Sequence, residues 1–203
     1  MLVKVCGLKD EKNISDISNL DIDFMGLIFY KKSKRFVNKD FLVKKNNKKL
    51  VGVFVNETID EIKRISKKYD LDYVQLHGDE NVEFCNKVNN FIDVIKVFRI
   101  SYDFDFNSID KFYNCCKYFL FDTKSKKFGG TGEKFEWSIL KEKKIYKDFF
   151  LSGGIDNNDD QIIKNLDLNH LIGIDLNSKF EFEPGKKDVK KLNKFLNKIN
   201  ENI

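Results

Sequence analysis

Proline is almost missing from this chain: Pro184 is the single one among 203 residues. Turns therefore have to be read from glycine and from the loss of hydrophobic period. The accompanying excess of Lys, Asn, Ile and Phe matches the bias of an AT-rich genome rather than a functional signature. Histidine is nearly as scarce, and with only His77 and His170 a histidine-rich metal cluster is not expected. The cysteines Cys6, Cys85, Cys115 and Cys116 include an adjacent pair but no C-x-x-C spacing. Neither a disulfide scaffold nor a zinc site is indicated. Apolar runs such as Phe24–Tyr30 fall far short of the roughly 18 residues of a membrane span. The chain enters a β-like segment at once, so no cleavable signal is expected. These absences lead us to expect a soluble, cytoplasmic protein that does not engage a membrane.

Charge of one sign does not dominate. The 37 Lys and Arg side chains and the 32 Asp and Glu give a formal net charge of +5, with both signs scattered. Lysine-rich stretches at Lys31–Lys34, Lys44–Lys49 and Lys186–Lys194 are interrupted by other residues. They read as solvated faces rather than a nucleic-acid surface. A moderately basic site for a small anionic metabolite fits this balance better. With 41% apolar residues, the chain is long enough for one well-buried core, and two full-sized domains would be a tight fit.

What the chain does have is rhythm. Short apolar runs begin near Leu2, Phe24, Leu50, Tyr73, Ile92, Tyr118, Phe149 and Leu171. Most are nearly continuously apolar, as parallel strands buried on both faces require. Between them the helical period returns. Ile59, Ile62 and Ile65 repeat at helical spacing, with Thr58 and Glu61 in a capping-box pattern. Val82, Phe84, Cys85 and Val88 suggest a further stripe, Trp137, Ile139 and Leu140 a docking face, and Val189, Leu192, Leu196 and Ile199 a C-terminal one. A strand followed by a helix eight times favours a short-form (β/α)₈ TIM barrel, α/β in class, over an open doubly wound sheet. No long linker breaks the pattern, so residues 1–203 read as a single domain. Chemistry in such a barrel sits where strands end. Polar and reactive residues cluster there: Cys6–Gly7, Lys31–Arg35, His77–Gly78, Arg99, Asp122–Thr123, Gly153–Gly154 and Asp175–Ser178.

Taken residue by residue, these junctions stay ambiguous. Cys6 alone is as readily a small buried apolar residue as a reactive thiol. Asp122 suits a helix cap or turn, Gly153-Gly154 a plain turn, and Arg35 a surface charge. The Gly129–Gly132 segment fits neither a Walker A loop nor G-x-G-x-x-G, since residue 135 is Phe.

The ordered set is more specific. Val3-Lys4-Val5-Cys6-Gly7-Leu8, Gly26-Leu27-Ile28-Phe29 with Lys32-Ser33-Lys34-Arg35-Phe36-Val37, and Val51-Gly52-Val53-Phe54 open it. Val74-Gln75-Leu76-His77-Gly78, Phe121-Asp122-Thr123, Gly129-Gly130-Thr131-Gly132 with Phe135-Glu136-Trp137, and Leu151-Ser152-Gly153-Gly154 follow. Gly173-Ile174-Asp175-Leu176-Asn177-Ser178 and Glu183-Pro184-Gly185-Lys186-Lys187-Asp188 close it. In this order, over residues 3–188, the chain resembles the phosphoribosylanthranilate isomerases of tryptophan biosynthesis. It departs from them at Lys34, where the family usually has proline, and at Asn177, where it commonly has serine.

The resemblance implies a cofactor-free Amadori rearrangement of a small phosphorylated substrate, by a monomer or homodimer. It implies Cys6 as general base and Asp122 as general acid, the latter needing to hold a proton near neutrality. Arg35 is implied as the clamp on the anthranilate carboxylate, with His77 and Arg99 in the pocket. Gly153, Gly154 and Ser178 are implied to hold phosphate, with Asn177 as a further partner, and Gly129–Gly132 to form a loop over the site. Gly153-Gly154 would bring backbone N–H groups, and a helix N-terminus its dipole, to the anion. An unperturbed thiol titrates near about 8.5, so a cysteine base needs neighbouring positive charge. Lys4, on the same side of its strand as Cys6, and Arg35 are the candidates, although Lys4 paired with a core carboxylate is an equal reading. The alternatives are another sugar-phosphate barrel, such as the histidine-pathway isomerase or indoleglycerol-phosphate synthase, or a non-catalytic phosphate-binding barrel.

Overall fold

The computed structural model describes residues 1–124 and 134–201. Its centre is a closed parallel barrel of eight strands in chain order. The strands are β1 (Leu2–Leu8), β2 (Phe24–Ile28), β3 (Lys49–Phe54), β4 (Tyr73–Leu76), β5 (Asp93–Ile100), β6 (Tyr118–Thr123), β7 (Phe149–Leu151) and β8 (Leu171–Leu176). The ring closes where β1 pairs with β8, Lys4 opposite Asp175. Every strand start lies within one residue of its expected place.

Both faces of each strand are buried, which is why the apolar runs are continuous rather than alternating. One face packs inside the ring, where Phe24, Val51, Ile95, Val97, Leu120 and Phe150 form a cluster. Phe150 anchors it: its ring meets Phe24 edge-on at 5.3 Å and Tyr118 at 5.7 Å. The other face packs beneath the connecting segments in a larger cluster that includes Val5, Leu27, Phe54, Phe98, Phe119, Phe121 and Phe149.

The connections are less uniform than the expected eight helices. Five α-helices are present among the described residues: α1 (Glu11–Ser18), α2 (Ile59–Tyr69), α3 (Val82–Asn89), α4 (Asp160–Lys164) and α5 (Val189–Asn200). Side chains of Asp10, Thr58, Asn81 and Asp188 cap α1, α2, α3 and α5 by accepting from backbone N–H groups of the first turn. The capping box at α2 is only half formed. Thr58 accepts from the Glu61 N–H, but the Glu61 carboxylate pairs with Arg64 and Glu57 takes the Thr58 N–H.

After β5 and β6 the chain forms 3₁₀ turns, Phe106–Phe112 and Trp137–Glu142. Their buried pairs, Ile109 with Phe112 and Trp137 with Leu140, stand three residues apart, the period of a 3₁₀ face. Between β2 and β3 there is no helix. That segment is rich in lysine and asparagine, and Asn46 and Asn47 take left-handed φ of 45° and 66°. A last departure follows β8, where a 3₁₀ turn (Ser178–Phe180) leads into an antiparallel hairpin, β9 (Glu181–Glu183) and β10 (Lys186–Lys187). No helix among the described residues is long and apolar enough to cross a membrane.

Because Phe150 fills the centre of the ring, Phe150→Ala should lower unfolding free energy by about 3–5 kcal/mol. Urea denaturation checks this, and an unshifted midpoint would mean that the interior does not depend on that side chain.

Candidate active site

Alternation along a strand sends every second side chain to the same face. At the C-terminal end of the ring this rule brings residues from distant strands into one cavity of about 650 Å³. Cys6 from β1, His77 beyond β4, Asp122 from β6 and Asp175 from β8 all line it, together with Ser152, Gly153, Gly154, Asn177 and Ser178.

Cys6 is almost wholly buried. Its sulfur occupies space left by Gly26 on the next strand, where an added Cβ would sit 2.7 Å from Sγ. Across the cavity, Asp122 accepts from its neighbour's Thr123 N–H at 2.9 Å and lies 3.3 Å from His77 Nε2. Gln75 Nε2 is 3.3 Å from His77 Nδ1. An amide nitrogen only donates, so Nδ1 is the acceptor and Nε2 carries the proton directed at Asp122. His77 is thus an orienting group for the carboxylate.

Beneath Cys6, Lys4 is fully buried with its Nζ 2.9 Å from Asp175 Oδ1. Both readings of Lys4 hold together, since it pairs with a core carboxylate and also interacts with the cysteine. Burial pulls its pKa down, but Asp175 and Cys6 outweigh that, and the net direction is up. For Cys6, burial pushes the thiol pKa up; Lys4 opposes this most, and Lys187 adds to the opposition. Lys187 is thus a further cation acting on Cys6 beside Lys4.

Arg35 is engaged elsewhere. Its Nε lies 2.9 Å from Glu181 Oε1 and its Nη2 2.7 Å from Oε2, a two-pronged pair with a buried carboxylate. Glu181 is shared with Lys187, whose Nζ is 2.6 Å from Oε1. Arg35 packs beside the cavity without lining it. Arg99, opposite Asp122 in the β5–β6 register, pairs with Asp79 and also does not line the cavity.

Behind β7, Gly153 and Gly154 take φ of 91° and 71°, values that L side chains rarely adopt. Thr123 Oγ1 presses on the place where Gly153 would carry a Cβ. With no Cβ at either position, both glycines bring main chain directly to the cavity wall. Ser178 starts the short turn after β8, on the neighbouring wall. Asn177 has its carbonyl groups turned to Lys187 Nζ, with Oδ1 at 2.7 Å and the main-chain oxygen at 3.1 Å. The expected helix dipole is not beside the glycines. Helix α4 begins at Asp160, several residues on, and Asp159 and Asp160 make its start acidic. Gly129–Gly132 lie outside the described residues.

Sequence reading missed Glu181, Lys187, Gln75 and Ser152. Lys187 was hidden in a lysine-rich stretch that looked solvated. The β9 strand carries a signal in retrospect: Glu181 is buried and Phe182 is 72% exposed, the reverse of ordinary partitioning.

The sequence and the fold have counterparts among known proteins. The family model described as N-(5′-phosphoribosyl)anthranilate (PRA) isomerase matches residues 3–198. The N-(5′-phosphoribosyl)anthranilate isomerase of Parabacteroides distasonis is 41% identical, the match covering 98% of this chain and 93% of that one. The crystal structure of the phosphoribosyl anthranilate isomerase of Thermotoga maritima superposes with a TM-score of 0.80 at 32% identity, over 98% of each chain. A further solved phosphoribosyl anthranilate isomerase, 28% identical with a TM-score of 0.77 over 98% of each chain, holds reduced 1-(o-carboxyphenylamino)-1-deoxyribulose 5-phosphate. A barrel with Cys6 and Asp122 at its mouth, matched in sequence from end to end, places this chain in the N-(5′-phosphoribosyl)anthranilate isomerase family.

Proposed function

We propose that Cys6 and Asp122 are the base and acid of the reaction that defines this family. That reaction is the Amadori rearrangement of N-(5-phosphoribosyl)anthranilate in tryptophan biosynthesis. The observation that carries the assignment is their placement in one cavity, on strands three apart around the ring, with a glycine cradle between them. Asp122 protonates the ribose ring oxygen as the C1′–O bond breaks, and the anthranilate nitrogen supplies the electrons to form a Schiff base. Cys6, as thiolate, takes the C2′ proton, and those electrons move through the C1′–C2′ bond to the nitrogen. The resulting enolamine gains a proton at C1′ and loses one from its hydroxyl, giving 1-(2-carboxyphenylamino)-1-deoxyribulose 5-phosphate. Atoms balance without a redox partner, because the substrate nitrogen is the electron sink. His77 keeps the Asp122 carboxylate aimed. Arg35, fixed by Glu181 along one edge of its fork, offers its remaining donors to the anthranilate carboxylate. Gly153, Gly154 and Ser178 take the phosphate, with the Asn177 amide beside them.

If the two residues act on bonds rather than on binding, Cys6→Ala and Asp122→Asn should each lower kcat by about 10² or more while KM stays within several-fold. Arg35→Ala should mainly raise KM. Steady-state kinetics with freshly generated substrate decides this, and a fully active Cys6→Ala enzyme would overturn the assignment.

Activity should survive exhaustive dialysis against EDTA, since the sequence offers no ligand-spaced cysteine or histidine set. Loss in EDTA with recovery on adding a divalent metal would refute the cofactor-free reaction.

In crystals soaked with sulfate, the anion should settle between Gly153-Gly154 and Ser178. Density for it elsewhere on the barrel rim would displace the phosphate site.

A further inference from the structure

Lys187 sits in a lysine-rich stretch, yet its side chain is fully buried while that of Lys186 is exposed. Burying an ammonium costs several kcal/mol unless its donors find partners. Here they do: Glu181 Oε1 lies at 2.6 Å, Asn177 Oδ1 at 2.7 Å and the Asn177 main-chain oxygen at 3.1 Å. The backbone is pinned as well. The Lys187 N–H donates to Asn13 Oδ1 at 2.7 Å, and Asn13 Nδ2 donates back to the Lys187 oxygen at 2.9 Å. The backbone of Lys187 is thus held from α1, which follows β1, and its ammonium from the end of β8 and from β9. Asn177 Oδ1 itself lies 2.6 Å from where Gly7, the next residue after Cys6, would carry a Cβ.

Charge balance gives this placement a consequence. Lys4 from β1 favours the thiolate most, but it is paired with Asp175 from β8 at 2.9 Å, and Asp175 works against it at Cys6, so the pair brings no net charge. On the other side stand Arg35 from the loop after β2, Glu181 from β9 and Lys187 from β10, two cations sharing one carboxylate. Among the described residues, Asp122 from β6, His77 beyond β4 and Tyr30 after β2 are the other titratable groups that line the cavity. The trio carries the unbalanced positive charge, and Lys187 is its member that acts on the thiol.

We infer that Lys187 is a positioning residue for the Cys6 thiolate, a buried ammonium fixed by Asn177 and Glu181 on a backbone pinned by Asn13, whose charge stabilises the deprotonated sulfur. This rests on the reading of Cys6 as the base. Burial pulls the Lys187 pKa down to about 8 despite Glu181. The coupling runs both ways, since an ionised Cys6 in turn favours the charged form of Lys187, so thiolate and ammonium hold each other charged.

The test is the pH profile of Cys6 alkylation by iodoacetamide, followed by peptide mass spectrometry so that Cys85, Cys115 and Cys116 are scored separately. In Lys187→Met the midpoint should rise by about one pH unit or more, slowing alkylation about tenfold at pH 7. Turnover should fall with it while KM stays within a few-fold, and Lys187→Arg should restore the midpoint. Should circular dichroism show Lys187→Met unfolded, Lys187→Gln carries the same measurement, because its amide still donates to Glu181. An unchanged midpoint in either folded variant overturns the inference. A shifted midpoint beside a fully active Cys6→Ala enzyme would leave Lys187 acting on the thiol and remove the base assignment instead.

Discussion

The barrel closes where β1 meets β8, and at that seam lies the buried ion pair of Lys4 and Asp175. A buried pair contributes little net stability over an apolar one, since desolvation offsets most of the Coulomb attraction. Losing one partner is another matter, because the survivor is left charged in a closed interior. The pair therefore acts as a constraint on register. A one-residue slip of β1 against β8 would separate the charges and turn Cys6 out of the ring. The same register puts Cys6 above Lys4, so the feature that closes the barrel also builds the floor of the cavity.

From that floor the electrostatics of the site follow by addition. A thiol this deeply buried resists ionisation, and burial does raise Cys6 above the usual range. Open solvent cannot compensate, so positive charge has to come from the protein. The chain supplies it in two ways. One is Lys4 beneath the sulfur, held there by Asp175, and the other is the Arg35, Glu181 and Lys187 group at its side. Glu181 is central to the second because it makes burial of two cations tolerable without cancelling both. It also fixes Arg35 along one edge of its guanidinium, which orders that side chain beside the cavity.

Much of this was legible in the sequence, for a definite reason. A parallel strand inside a barrel needs apolar residues on both faces, and such runs have little other use in a chain this polar. Their starts therefore appeared within one residue, and with them the strand ends that carry Cys6, Asp122 and Gly153-Gly154. The connections were less readable. A helix and a 3₁₀ turn differ by whether buried residues recur at three or at three and four, and Trp137, Ile139 and Leu140 fit either pattern. The segment between β2 and β3 shows no period at all, and it is the one connection without a helix or 3₁₀ turn among those wholly described.

The residues that escaped are those whose role depends on a partner far along the chain. Lys187 resembles its neighbours in every local property, and only Glu181, Asn177 and Asn13 distinguish it. Arg35 stood out through the family resemblance, but its partner did not, because an Arg–Glu pair separated by 146 residues leaves no local trace. Local pattern finds elements, and family motifs find reacting groups. The charges that tune those groups come from the tertiary fold, through β9 and β10, a hairpin that the strand–helix rhythm does not contain. The barrel could keep its rhythm without that hairpin, but Cys6 would then lose the one buried cation group near it that is not already neutral.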